Sequence, residues 1–234
     1  MRTVLITGGS RGIGASCVDK FTAAGDKVYF FYRSDDDAAQ AVAQKTGAIA
    51  VKCDVSDKTA VAKAFSSLPS FDVLVNNAGI SEFSLFQDIS EDAWEQMIQT
   101  HLGGTFRCTK AVLPEMIAQK SGCIVNISSM WGQVGASCEV HYSAAKAGVI
   151  GLTKALAKEV GPSGIRVNCV APGVVRTDMN QALSPDAITS LTEETPLGRM
   201  GSPEEIAQIV YWLTTDQAAF VTGQTLSPNG GLVI

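Results

Sequence analysis

The feature that most constrains this chain is a rhythm: short apolar runs recur along it, and stretches with helical periodicity lie between them. The runs are Val4–Thr7, Val28–Tyr32, Ala48–Cys53, Val73–Asn76, Cys123–Ser128, Arg166–Val170 and a weaker Thr225–Ser227. Most are continuously apolar, as strands covered on both faces must be, and all are too short for ordinary helices. The helical stretches include Ser90–Gln119 and Cys138–Val160. Glu91 and Asp92 behind Ser90 put negative charge where a helix start favours it, and Gly161-Pro162 stops the second stretch. Strands alternating with helices predict an α/β architecture: a doubly wound parallel sheet of about seven strands, right-handed crossovers, and helices on both faces. No repeat, low-complexity tract or linker divides the 234 residues, so one domain over 1–234 is expected. Sheets of this kind bind ligands beyond the carboxyl ends of their strands, where this chain carries its polar motifs.

Composition narrows the function classes. Hydrophobic residues make up 46% and charged residues 18%, which argues for a folded core, and a net charge of −5 offers no basic footprint for nucleic acid. Residues 121–138 carry no charge, but Ser, Gly, Asn and Gln interrupt them, so no membrane span is expected. Cys17, Cys53, Cys108, Cys123, Cys138 and Cys169 lie far apart, without a CxxC pair or a histidine at zinc-ligand spacing. They are expected to be reduced thiols, with no metal site. A strand close behind Met1 leaves no place for a secretion signal, and a cytoplasmic protein is expected.

Two motifs carry chemistry. Directly after the first strand comes Thr7-Gly8-Gly9-Ser10-Arg11-Gly12-Ile13-Gly14. Glycines there permit a tight turn and let backbone N–H groups approach a pyrophosphate at the start of the next helix. Further on, Tyr142 and Lys146 stand four apart and so share one helix face. A phenol titrates near ~10, so an ammonium beside it is expected to favour the phenolate and tune the group for proton transfer.

Taken with Asn76-Asn77-Ala78-Gly79, Tyr142-Ser143-Ala144-Ala145-Lys146 and Pro172-Gly173, the spacing Gly8-xxx-Gly12-x-Gly14 resembles the short-chain dehydrogenase/reductase family over nearly the whole chain. The resemblance implies a Rossmann-like sheet and hydride transfer between a nicotinamide cofactor and a ketone or secondary alcohol. It places Gly8, Ser10, Arg11, Gly12, Ile13 and Gly14 at the phosphate turn and Asp54 and Val55 beside adenine. Asn76, Ala78 and Gly79 would support the cofactor, and Pro172, Gly173, Val175 and Thr177 would hold the nicotinamide amide. Ser129, thirteen residues before Tyr142, would donate to the substrate oxygen; Tyr142 would supply the proton, and Lys146 would also hold the nicotinamide ribose. NAD-specific relatives usually carry an acid after the second strand, whereas this chain has Tyr32-Arg33. Arg33, helped by Arg11, suits a 2′-phosphate, so NADP(H) is the expected cofactor, with Asp35–Asp37 close enough to blunt the attraction.

One departure falls at His101, where the family usually has an asparagine that holds a water. Imidazole can hold water or shuttle a proton, or His101 can simply fill the volume; His141 reads as a wall or surface residue. The chain at large is similar to the 3-oxoacyl-acyl-carrier-protein reductases. His101, Ser129-Met130-Trp131-Gly132 and Gly135-Ala136-Ser137-Cys138-Glu139-Val140 resemble the elongation factor P 5-aminopentanone reductases. In that reading Trp131 and Glu139 stand near the cleft mouth, where an acid meets a substrate ammonium; otherwise they are a packing residue and a first-turn helix acid. Docking of an acidic carrier would need basic groups such as Lys120, but Ser163 stands where a second is expected. The segment from about 177 to 200, with Pro185 and Pro196, is expected to form a substrate lid. Its Met179, Leu183, Ile188 and Leu191 would line the site or face the core. The expected partners are a small-molecule or carrier-linked ketone and further copies of the chain, as a homotetramer or homodimer. A non-catalytic NADP-binding regulator is disfavoured, since a sensor needs no proton donor.

Overall fold

The computed structural model describes residues 1–180 and 184–234. Its strands are β1 (Thr3–Thr7), β2 (Lys27–Tyr32), β3 (Ile49–Lys52), β4 (Val73–Asn76), β5 (Gly122–Ile127), β6 (Ile165–Val170) and β7 (Thr225–Leu226). They form one sheet in the order β3-β2-β1-β4-β5-β6-β7, and every neighbouring pair is parallel. Each expected apolar run is a strand. The α-helices among the described residues are α1 (Gly12–Ala23), α2 (Asp36–Thr46), α3 (Lys58–Phe65), α4 (Glu91–Ile98), α5 (Gly104–Gln119), α6 (Trp131–Val134), α7 (Val140–Val160), α8 (Pro185–Glu194) and α9 (Pro203–Leu213).

Strand side chains point alternately to the two faces, and this builds two cores. On one face Val4, Ile6, Val28 and Phe30 pack with Phe21 of α1, Ala39 of α2, and Ile206 and Val210 of α9. On the other, Leu5, Tyr29, Phe31 and Leu74 pack with Val61 of α3, Cys108 and Met116 of α5, and Ala157 and Val160 of α7. Burial of each large apolar side chain contributes roughly 1.5–3 kcal/mol. The same coverage explains why the runs in β1 and β2 read as continuously apolar. All six cysteines are free, and five are buried.

Sheet order reverses between β1 and β4, because the chain winds outward to β3 and then returns to build β4 through β7 on the other side. The helices that follow β1 and β4 therefore cover opposite faces of the sheet, the arrangement that places a ligand crevice at the carboxyl edge.

Two helical stretches differ from expectation. Ser90–Gln119 is two helices joined by a π-turn at Gln99–Gly103, with Ser90 capping α4 through Ala93 N (3.1 Å). Turns of this kind often sit at functional sites, and this one carries His101. Cys138 adopts φ 61° and Glu139 lies outside α7 at its N-cap position, so Glu139 is not a first-turn acid. Within the 177–200 segment, Ser184 caps α8, and Pro185 occupies its first turn. The segment leaves and returns at one point, where Val175 bridges Gly201.

Candidate active site

The glycine turn is held by backbone and by one asparagine. Gly8 and Gly12 have φ values of 67° and 54°, which favour glycine. A Cβ on Gly14 would lie 2.0 Å from Gly8 O, and one on Gly8 would lie 2.8 Å from Ala78 Cα. These contacts bring the β1 turn against the β4 loop. Asn77 Nδ2 donates to Thr7 O and Gly8 O (both 3.0 Å), while Thr7 Oγ1 accepts from Asn77 N (2.9 Å) and Ala78 N (3.0 Å). The result is a cavity of about 430 Å³ lined by Gly8, Ser10, Arg11, Gly12, Ile13, Arg33, Asp54, Val55, Ala78, Gly79 and Thr177. Its size, and a wall in which Gly8 and Gly12 present backbone without side chains, fit a dinucleotide's phosphates and adenosine.

Two expected lining residues are elsewhere. Gly14 sits behind the turn, where its missing side chain lets the turn close. Asn76 is buried: its Nδ2 donates to Thr109 Oγ1 (3.0 Å) and Asn126 Oδ1 (2.8 Å), and Asn126 Nδ2 donates to Thr153 Oγ1 (2.9 Å). This network ties β4 and β5 to α5 and α7. Asn77, its neighbour in the same motif, faces the cavity instead, together with Thr100 of the π-turn. Alternation sets Asn76 and Asn77 on opposite sides, and only their partners on other segments decide which faces the cavity; Thr100 carried no local signal.

The acids after β2 are largely engaged. Asp35 caps α2 through Ala38 N (3.0 Å), and Asp36 accepts from Lys52 Nζ (2.8 Å) and Tyr32 Oη (2.9 Å). Arg11 lies 3.9 Å from both Asp35 and Asp178. Arg33 is exposed at the cavity and forms no ion pair among the described residues.

A second cavity of about 480 Å³ adjoins the first and shares Ile13, Asn77, Gly79, Thr177 and Met179 with it. Ser129, Tyr142, Lys146 and His101 all line it, as do Pro172, Gly173, Val175, Trp131, Glu139 and Leu191. β5 delivers Ser129 just past its carboxyl end, and α7 presents Tyr142 and Lys146 on one face. Gly132 lets α6 approach α7, since a Cβ there would lie 2.8 Å from Lys146 C. Ser129 Oγ accepts from Trp131 N (3.1 Å) and lines the same cavity as the Tyr142 phenol. Lys146 Nζ donates to Ile127 O (2.8 Å) and stands 5.6 Å from the centre of the Tyr142 ring. Leu183 lies outside the described residues, and Met179 lines both cavities.

Electrostatics here differ from the sequence expectation. Burial dominates, pushing the Tyr142 phenol up to about 12; the Ser129 hydroxyl opposes this shift and the Glu139 charge adds to it. Burial also holds the Lys146 ammonium down at about 8. The lysine therefore does not draw the phenol below its usual range in this arrangement, because desolvation outweighs charge attraction.

His101 Nε2 lies 2.8 Å from Ile80 O and 3.1 Å from Ile80 N, so either ring tautomer finds a partner there. Its ring meets Tyr142 edge-on at 5.3 Å, and burial holds it well below the usual histidine range. His141 is 0% exposed, hence no surface residue. Glu139 is only 7% exposed and lines the same cavity; burial raises its carboxyl above the usual range.

A family model described as enoyl-(acyl carrier protein) reductase matches residues 8–233. An acetoacetyl-CoA reductase of Shinella zoogloeoides is 45% identical, with 98% of each chain covered. A 3-oxoacyl-[acyl-carrier-protein] reductase FabG of Chlamydia muridarum is 42% identical over 99% of this chain and 97% of its own. The crystal structure of a 3-oxoacyl-[acyl-carrier protein] reductase from Brucella melitensis superposes with a TM-score of 0.94 at 36% identity, covering 100% of this chain and 91% of that one. The chain belongs to the short-chain dehydrogenase/reductase family. It is an oxidoreductase of the kind that acts on a keto group or the corresponding alcohol. No helix among the described residues is long and apolar enough to cross a membrane.

Proposed function

We propose that the protein is an NADPH-dependent carbonyl reductase that converts the ketone of a 3-oxoacyl thioester to a secondary alcohol. The observation that carries this reading is the convergence of Ser129, Tyr142 and Lys146 on one cavity that adjoins the glycine cradle. In this reading Ser10–Ile13, Asp54, Val55, Ala78 and Gly79 hold the adenosine and phosphates, while Pro172, Gly173, Val175 and Thr177 border the nicotinamide. When bound, the reduced cofactor supplies the hydride.

The chain's own residues handle the oxygen. Ser129 donates a hydrogen bond to the carbonyl, polarising it, and Tyr142 passes its proton to the oxygen as negative charge develops. A phenol raised by burial is protonated throughout the neutral range, which is the form that reduction requires. Lys146, anchored on Ile127 O, keeps positive charge beside the phenolate left behind. His101, braced by Ile80, supports the tyrosine ring edge-on. NADPH is favoured over NADH by Arg33, a guanidinium without an ion-pair partner among the described residues, at the cavity wall where a 2′-phosphate would lie. The same reading takes 1–234 as a single catalytic domain, cytoplasmic, assembling as a homodimer or homotetramer.

A second reading is favoured by Glu139. A buried carboxyl in the carbonyl cavity suits a ketone that carries an ammonium group, such as the aminopentanone borne by a modified elongation factor P. The test is NADPH oxidation measured side by side with an acetoacetyl thioester and with an aminopentanone-modified protein. Thioester turnover higher by kcat/KM supports the first reading; a clear preference for the amino ketone, lost in Glu139→Gln, replaces it with the second. Turnover of neither sinks both.

A further inference from the structure

One five-residue turn touches both cavities. The π-turn Gln99–Gly103 sends Thr100 to the cradle side and His101 to the carbonyl side. Behind it, Arg107 reaches back from α5. Its Nη1 donates to Gln99 O (3.1 Å) and to Val55 O (3.2 Å), and its Nη2 donates to Gln99 Oε1. The other end of the Gln99 amide donates to Glu95 Oε1 (2.7 Å), so the glutamine is oriented from both sides. Val55 is buried and lines the cradle cavity.

Two glycines make room for this clasp. A Cβ on Gly103 would lie 2.7 Å from Arg107 Nη1 and 2.8 Å from Gln99 Oε1. A Cβ on Gly104 would lie 2.7 Å from Val55 Cγ2. The pair Gly103-Gly104 thus lets the guanidinium and the β3 loop settle against the turn together. Three acceptors on two segments call for a planar fork of donors, which arginine has and lysine lacks.

We propose that Arg107 is a positioning residue that couples the cofactor's adenosine end to the placement of His101. Cofactor seated against Val55 steadies the β3 loop; the guanidinium passes that order to Gln99 and hence to the turn that holds His101 against Tyr142. Arg107 lines neither cavity, so it acts through its neighbours and not by touching substrate. The inference rests on the functional reading above for which ligand part fills which cavity.

The chain contains two histidines, so labelled-histidine NMR isolates His101 with a single assignment variant. In the wild type, NADPH titration should move the His101 ring signal. In Arg107→Met, NADPH affinity should fall about tenfold, kcat at saturating NADPH should fall about tenfold, and the His101 response should shrink. Arg107→Lys keeps the charge without the fork and should recover neither loss. Should Arg107→Met not fold, Gly103→Ala displaces the guanidinium and should reproduce the paired losses. Wild-type affinity and kcat in the variants, a loss confined to one of them, or full rescue by lysine overturns the coupling. A wild type that neither binds NADPH nor reduces ketones sinks the functional reading instead.

Discussion

The cradle between β1 and β4 and the carbonyl cavity beyond β5 adjoin each other but are built from opposite materials. The cradle is backbone: Gly8, Gly12 and Gly14 contribute by lacking side chains, and Asn77 holds the turn through Thr7 O and Gly8 O. The carbonyl side is side chain: a phenol, an ammonium, a hydroxyl, an imidazole and a carboxyl, all buried together. A backbone turn is set by steric exclusion, with the charges of Arg11 and Arg33 added at its rim. A side-chain site is set by desolvation, so each charge in it alters the others.

That contrast can be broken at several points. Tyr142→Phe should cost about a thousandfold or more in kcat while NADPH affinity, measured by fluorescence titration, stays near wild type. An active variant would show that the proton comes from elsewhere. Gly14→Ala brings a methyl within 2.0 Å of Gly8 O and should weaken NADPH binding about a hundredfold, with loss of folding as the extreme. Binding at wild-type strength would mean the cradle is not the cofactor seat. Arg33→Asp should shift the ratio of kcat/KM for NADPH over NADH about thirtyfold toward NADH, the scale of a lost charge-assisted contact. An unchanged ratio would place the 2′-phosphate away from Arg33. On the carbonyl side, the pH profile sharpens the electrostatics. The Lys146 ammonium, depressed by burial to about 8, is present below that pH and lost above it, while Tyr142 stays protonated to about 12. Reductive kcat should therefore be level up to about pH 7, halve near pH 8 and fall about tenfold by pH 9. A level profile through pH 10 would remove the lysine from the step.

What could be read without coordinates divides along the same line. Glycine spacing after β1 and the period of Tyr142 and Lys146 are local facts about the chain, and both stand in the structure where they were expected. Asn76 and Asn77 were not separable by motif, since their roles depend on Thr109, Asn126 and Thr7, which approach from other segments. The π-turn was invisible because its residues continue a helical pattern on either side. Glu139 read equally as a cleft acid or a first-turn helix acid, and the left-handed Cys138 sets it outside the first turn of α7.

The amino-acid order determined the alternating elements, the parallel sheet and the glycine turn, because hydrophobic period and backbone sterics act over a few neighbouring residues. Only the folded chain decided that Tyr142 is a high phenol, that Lys146 is a low ammonium and that Glu139 is buried in the wall of the carbonyl cavity. Those properties follow from how much water each group loses, and water is excluded by residues far away in the sequence.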